Sequence, residues 1–249
     1  MAPATATRTD TLYVYGICAS GVRPPETPGV GGEPVRLLTE AGLCAAVSGA
    51  PARVRARRRD LTAHQEVLRA LAAQGAVLPM RFGVLSPGAG TLRAQLRTDA
   101  GHLAAQLDGV RDCVEMNVKG TAVSGYFETL VRRDESLRAL ARRTRRRPDY
   151  EANVRLGQAL ARAVGREARK AAQQVLAALT PLAVRTAPGA TDDGQVLSAS
   201  FLVPAADEER FRQVVAAQAE AYGDRLALAV TGPLPCYSFV QPGPLPAGR

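Results

Sequence analysis

Residues 226 to 240 read Leu226-Ala227-Leu228-Ala229-Val230-Thr231-Gly232-Pro233-Leu234-Pro235-Cys236-Tyr237-Ser238-Phe239-Val240. The first part is an apolar run of strand length. Gly232, Pro233 and Pro235 are expected to end it, because proline has no N–H for a sheet ladder. Tyr237 and Phe239 follow two residues apart, so an extended chain points both rings to one side. A strand, a proline corner and a paired aromatic anchor read as a docking tail that carries no catalytic group.

The pattern upstream of this tail sets the fold. Val110 to Val118 alternates and predicts a strand, and the domain boundary is placed just before it. Residues 120 to 150 read as short helices. A long helix follows from Tyr150 to Leu179, with Leu156, Leu160, Val164, Ala168, Ala171, Val175 and Leu179 on its expected buried face. Strands are predicted at Leu182 to Thr186 and Val196 to Val203. A helix over 207 to 222 turns Phe211, Val214, Val215 and Ala219 inward, and Leu226 to Val230 is the last strand. The order β, long α, β, β, α, β is that of a ferredoxin-like domain with a helical extension inserted at about 120–150.

The first half mixes short strands and helices. Leu12 to Cys18 and Leu43 to Ser48 read as strands, and the Pro/Gly-rich stretch 21 to 34 as a loop. Arg53 to Arg59 is a basic connection or an edge strand. Asp60 is the expected N-cap of a helix over 61 to 74, closed by Gly75. Val77 to Phe82 is a strand interrupted by Pro79, which favours an edge or a bulge. Thr91 to Leu107 is a second amphipathic helix.

Composition narrows the function classes. With six tyrosines, five phenylalanines and no tryptophan, the core must lean on Leu, Val and Ala. The net charge is +9, carried almost wholly by arginine, since Lys119 and Lys170 are the two lysines. A basic surface favours anionic partners and salt-sensitive association. Cys18, Cys44, Cys113 and Cys236 lie far apart without a C-x-x-C pair, so buried thiols in a reducing cytoplasm are expected. The N-terminus has no apolar h-region and no apolar run approaches about 18 residues, so neither a signal peptide nor a membrane span is expected.

The chemistry of an enzyme needs convergent groups, and none are announced. Nucleotide-binding glycine motifs and the H-E-x-x-H pattern do not occur. His64 reads as a histidine packed at the border of its helix stripe, and His102 as solvent-facing. No catalytic residue, cofactor site or metal site is assigned. Pro79-Met80-Arg81-Phe82 reads either as packing surface or as a groove edge that receives an apolar segment of a partner. Tyr237 and Phe239 are expected to fold back into a crease between domains. The basic run Arg142, Arg143, Arg145, Arg146 and Arg147 reads as a solvated helix face, a contact for an acidic protein, or a phosphate-neutralising patch. Only Tyr150 is adjacent, so no stacking platform supports nucleic acid.

Three motifs and the tail belong together. They are Tyr13-Val14-Tyr15-Gly16-Ile17, then Ala76-Val77-Leu78-Pro79-Met80-Arg81-Phe82-Gly83, then Glu115-Met116-Asn117-Val118-Lys119, and last the tail itself. In this order, over nearly the whole chain, they resemble the GvpL/GvpF family of gas vesicle proteins. That family usually carries Glu-Trp-Gly-Val-Lys at the third motif and Trp-Pro-Pro in the tail. Here Met116 and Asn117 replace the first pair, and Leu234, Pro235 and Cys236 stand in the tail, as in a divergent member.

The resemblance implies an α+β fold of two domains. These are a small α+β N-terminal domain (1–109) and a ferredoxin-like C-terminal domain (110–234), with a tail (235–249) packing between them. It implies a polar pair of His64 with Arg81 that fixes helix to strand. It implies a non-enzymatic accessory protein of gas vesicle formation, in the cytoplasm and at the gas vesicle. Its partners would be the hydrophobic principal shell protein and other accessory gas vesicle proteins, and a place as a minor vesicle component is compatible with the resemblance. The partner surface is expected at Arg81, Phe82, Tyr237 and Phe239. The alternative reading is a basic nucleic-acid-binding module that uses the Arg142 to Arg147 cluster.

Overall fold

A computed structural model of the chain describes residues 11–146, 149–192 and 194–241. Backbone contacts divide it into two units. The first runs to Glu115 and takes in the residues from Leu234 onward; the second is Met116–Pro233. The division falls inside a strand rather than just before Val110, and the tail groups with the first unit rather than standing apart.

The first unit is built on β1 (Leu12–Ala19), which is buried from Leu12 to Cys18. A strand covered on both faces needs a continuous apolar run rather than alternation, and Leu-Tyr-Val-Tyr-Gly-Ile-Cys supplies it. β2 (Arg36–Glu40), β3 (Leu43–Gly49), β4 (Val77–Pro79) and β5 (Leu85–Ser86) complete the sheet. The order is β2-β3-β1-β4, with β5 also paired to β1, and all four pairings are antiparallel. Helix α1 (Arg58–Ala72) lays Val67, Leu68 and Leu71 on the core around Tyr13 and Tyr15. Helices α2 (Ala89–Thr98) and α3 (Ala100–Gly109) follow.

The second unit carries β6 (Cys113–Ala122), α4 (Phe127–Arg133), α5 (Glu135–Arg146), α6 (Tyr150–Leu179), β7 (Arg185–Pro188), β8 (Gln195–Pro204), α7 (Glu208–Tyr222) and β9 (Leu226–Leu234). The sheet order is β7-β8-β6-β9, and β7 pairs β8 antiparallel. Central β8 is buried on both faces from Ala199 to Val203. Phe201 and Phe211 meet at 5.2 Å between ring centroids where α7 covers the sheet. Helix α6 buries Ala163, Val164, Ala168, Ala171, Ala172, Val175 and Leu179.

Several expectations change. β2 is absent from the sequence reading, because Arg36, Thr39 and Glu40 hide its pattern. Its signal is the pair Ala41-Gly42, both at positive φ, as a two-residue hairpin turn demands. Arg53 to Arg57 form no strand. Helix α1 begins at Arg58 after an Arg57 N-cap, so Asp60 lies in the first turn, where its charge suits the helix dipole. The helix expected over 91 to 107 breaks at Asp99; Thr98 Oγ1 bonds the Ala94 carbonyl at 3.0 Å, a back-bond that bends helices. β9 passes through Gly232 and Pro233 to Leu234. It is an edge strand, where a missing N–H can face solvent. Tyr237–Phe239 is a single 3-10 turn, not an extended segment, so its two rings do not share a strand face.

Candidate functional site

Two of the predicted residues, Phe82 and Tyr237, meet His64 in the first unit. His64, on α1, is 2% exposed and Tyr13, on β1, is fully buried. His64 Nε2 lies 3.0 Å from the Met80 carbonyl, and Nδ1 lies 3.0 Å from the Tyr13 hydroxyl. A carbonyl only accepts, so Nε2 carries the proton and Nδ1 accepts from Tyr13. The Tyr13 oxygen in turn accepts the Gly83 N–H at 3.0 Å. Tyr237 brings its hydroxyl to 3.4 Å from His64 Nε2. A neutral imidazole therefore satisfies both ring nitrogens, the Tyr13 hydroxyl and the Met80 carbonyl, and the Tyr237 oxygen can only share the Nε2 proton. Burial lowers the His64 pKa against the Met80 hydrogen bond. Burial likewise raises Tyr13, and pushes Tyr237 up to about 12 with help from Glu115.

The rings pack as tightly as the hydrogen bonds. Tyr13 and Tyr15 centroids are 4.8 Å apart, and His64 stacks on Tyr15 at 5.6 Å. Phe82 stands edge-on to both Tyr13 (5.9 Å) and His64 (5.7 Å). Each such pair contributes about 0.5–1.5 kcal/mol beyond burial. Beneath them the Tyr15 hydroxyl accepts the Val30 N–H at 2.7 Å and meets Ser48 Oγ at 3.0 Å. Gly29 is required here, since a Cβ would sit 2.0 Å from that hydroxyl.

The expected pair of His64 with Arg81 is not the one formed. Both ring nitrogens are taken by Tyr13 and Met80, and the Arg81 side chain is exposed. The segment Met80–Val84 bulges between β4 and β5, and Met80 N–H still reaches the Tyr15 carbonyl at 2.8 Å. It carries Arg81 and half-buried Phe82 at the surface of the unit.

The tail is held by contacts that the sequence did not show. Buried Glu115, at the start of the third motif, accepts the Ser238 N–H at 2.8 Å and its hydroxyl at 2.7 Å. Cys236 Sγ points at the Cys113 carbonyl at 3.7 Å, and Gln241 N–H donates to Gln106 at 2.8 Å. Tyr237 packs on the β1 core and Phe239 is half-buried. Cys18 is pushed up to about 12 by burial, which makes it an inert core thiol.

In the second unit, Arg142, Arg143, Arg145 and Arg146 are all exposed on the last turns of α5; Arg147 lies outside the described residues. Leu156 and Leu160, expected in the core, are half-buried and line an open groove with Phe127 and Val131. The expected stripe is buried from Val164 onward, while at its first turns Leu160 packs in part against Tyr126, Leu130 and Leu137. The spacing of Phe127 and Val131, four apart, was the available signal for the groove. Asn117 Oδ1 is buried without a hydrogen-bond partner among the described residues, at a position where the family pattern has glycine. Also among the described residues, no cluster of His, Cys, Asp or Glu could hold a metal ion, and no helix is long and apolar enough to cross a membrane.

Comparison with known proteins agrees with this architecture. Gas vesicle protein F of Streptomyces sp. (strain CB03234) is 37% identical over 240 residues, covering 93% of this chain and all of that one. Gas vesicle protein L of the same strain is 29% identical, with 93% of each covered. The crystal structure of GvpF from Anabaena sp. PCC7120 matches with a TM-score of 0.77 at 23% identity, covering 94% of this chain and 99% of that one. GvpF from Microcystis aeruginosa matches at 0.75 and 24%, covering 94% and 100%. These two show the mixed α and β fold. The family described as gas vesicle synthesis protein GvpL/GvpF matches residues 11–241, and the chain belongs to that family.

Proposed function

We propose that this chain is a non-enzymatic accessory protein of gas vesicle formation, in the cytoplasm and at the vesicle, that binds the hydrophobic principal shell protein. Other accessory gas vesicle proteins would be its further partners. The observation that carries the reading is the family match across residues 11–241, which gives the chain its role in gas vesicle formation. We read the second unit as a ferredoxin-like domain with α4 and α5 inserted, joined to an α+β N-terminal domain. The strand order β7-β8-β6-β9 supports this.

The surface proposed for the shell protein is Arg81 and Phe82 with Phe239. A subunit that is apolar before assembly needs cover, and a partner groove or an added strand can supply it. At β4 and β5 the edge of the sheet is blunted by Pro79 and by the bulge at 80–84, which opposes strand addition. A groove contact centred on Phe82 fits better. The test is co-expression with the principal shell protein in a host without vesicles. A soluble stoichiometric complex is expected, and Phe82→Ala with Phe239→Ala should weaken it while circular dichroism stays unchanged. An insoluble shell protein, with this chain eluting alone or with nucleic acid, would reject direct shell binding.

A further inference from the structure

We propose that the groove between α4, α5 and the first turns of α6 is a docking site for a short acidic amphipathic helix of a partner protein. The occupant is defined by its chemistry, so the proposal stands apart from the shell-protein contact at Phe82.

The groove encloses about 620 Å³ and is walled by Phe127, Val131, Ala141, Leu156 and Leu160. Helix α6 buries nothing before Ala163; Leu156 and Leu160 are only half-buried, with Leu160 packing against Tyr126, Leu130 and Leu137, so α4 and α5 cover the first turns of α6 in part. Phe127 in the groove wall is 39% exposed, and on the same turns of α6, outside the lining, Val154 is 41% and Tyr150 82% exposed. Such patches, rimmed by polar groups, mark binding surfaces.

The rim is basic. Arg132 and Arg145 line the groove against a single carboxylate, Glu128. Arg142, Arg143 and Arg146 add exposed charge on the same helix, and α5 carries no acid after Glu135. Glu151, near the start of α6, is paired with Arg155 at 3.6 Å. From Asn153 to Leu160 the wall spans about 10 Å, or two helical turns. Such a groove takes apolar anchors at i, i+4 and i+7. Asp or Glu flanking those anchors would meet the arginines and steer association. The walls are aliphatic except for Phe127, so nucleic acid finds charge here but not a row of rings on which to stack.

The test uses the full chain and a fluorescent synthetic helix of about 16 residues, with Leu at i, i+4 and i+7 and Glu on the flanks. A sister peptide carries Lys in place of Glu, and a single-stranded RNA oligonucleotide is the third probe. The acidic peptide should bind, less tightly as salt rises, and the Lys peptide should not. Arg132→Glu with Arg145→Glu, both at exposed positions, should weaken the acidic peptide about tenfold and confer binding of the Lys peptide. Phe127→Asp should weaken both. The proposal is overturned by equal affinity for the two peptides, or by no binding of either. It is also overturned by RNA binding that the arginine variant abolishes, or by a dimer of the chain that the same variant dissociates.

Discussion

The cluster around His64 and the groove beside α5 use similar residue types and end in opposite states. Both combine aromatic rings, aliphatic side chains and polar groups. Around His64 both ring nitrogens and the Tyr13 hydroxyl are hydrogen-bonded, and Tyr13, His64 and Phe82 meet ring to ring. In the groove, Phe127 and Leu156 face an open space and the arginines have exposed heads. A saturated group holds a fold together, since any change leaves a buried atom unpaired. An unsaturated one is where a partner gains most by binding.

That contrast can be broken by substitution. The largest effect belongs to His64→Ala, which strips partners from Tyr13 and the Met80 carbonyl and opens a cavity. A loss of about 3 kcal/mol is expected in urea unfolding. A loss below about 1 kcal/mol would mean that the cluster is not a keystone. Gly29→Ala forces a methyl onto the Tyr15 hydroxyl and should cost about 2 kcal/mol by the same measurement. Wild-type stability in this variant would show that the loop can move aside.

The pH dependence sharpens the same point. Above about pH 6.5 the imidazole is neutral in folded and unfolded chains alike. Below that, the unfolded chain binds a proton that buried His64 resists. Stability should therefore fall with pH, by at most about 1.4 kcal/mol per unit, until the lowered folded-state value is reached. His64→Gln can keep both hydrogen bonds without titrating. Melting curves between pH 5 and 8 should show this component lost in the variant; an unchanged slope would assign it elsewhere.

Ser238→Ala removes one of the two bonds to Glu115 and should cost about 1 kcal/mol. Faster chymotrypsin cleavage at Tyr237 and Phe239 would report the loosened tail, while unchanged cleavage would locate the hold in the contacts that remain, at Tyr237, Cys236, Gln241 and the Ser238 N–H. The smallest effect is expected on the exposed side of α6, outside the groove lining. Val154→Ser should change stability by less than about 0.5 kcal/mol, because that side chain is 41% exposed. A large loss would make this side of α6 part of the core.

Much of the fold was legible because it rests on local periodicity. The bounds of α6 and the covered run of β1 follow from patterns within the segments themselves. The break at Asp99 and the polar edge strand β2 were not legible. In the first, a side-chain bond competes with the helix; in the second, the pattern belongs to an edge that is wet on one side. Of the candidate site, the sequence offered His64, Phe82 and Tyr237 as separate residues. It read His64 as a packed histidine, with Arg81 as the partner the family resemblance offered, and the structure gives it Tyr13 and Met80.

Sequence alone determined the mixed α and β class, the long helix, the basic surface and the motif order that marks the family. These depend on residue type and short-range spacing, which no distant contact can erase. Tertiary structure decided that Glu115 holds Ser238 across 123 residues, and that Tyr13 rather than Arg81 completes His64. It also decided that Leu156 and Leu160 line a groove. Each of those outcomes depends on which surfaces meet after the chain has folded back on itself, and side-chain patterning does not encode the partner of a buried polar atom.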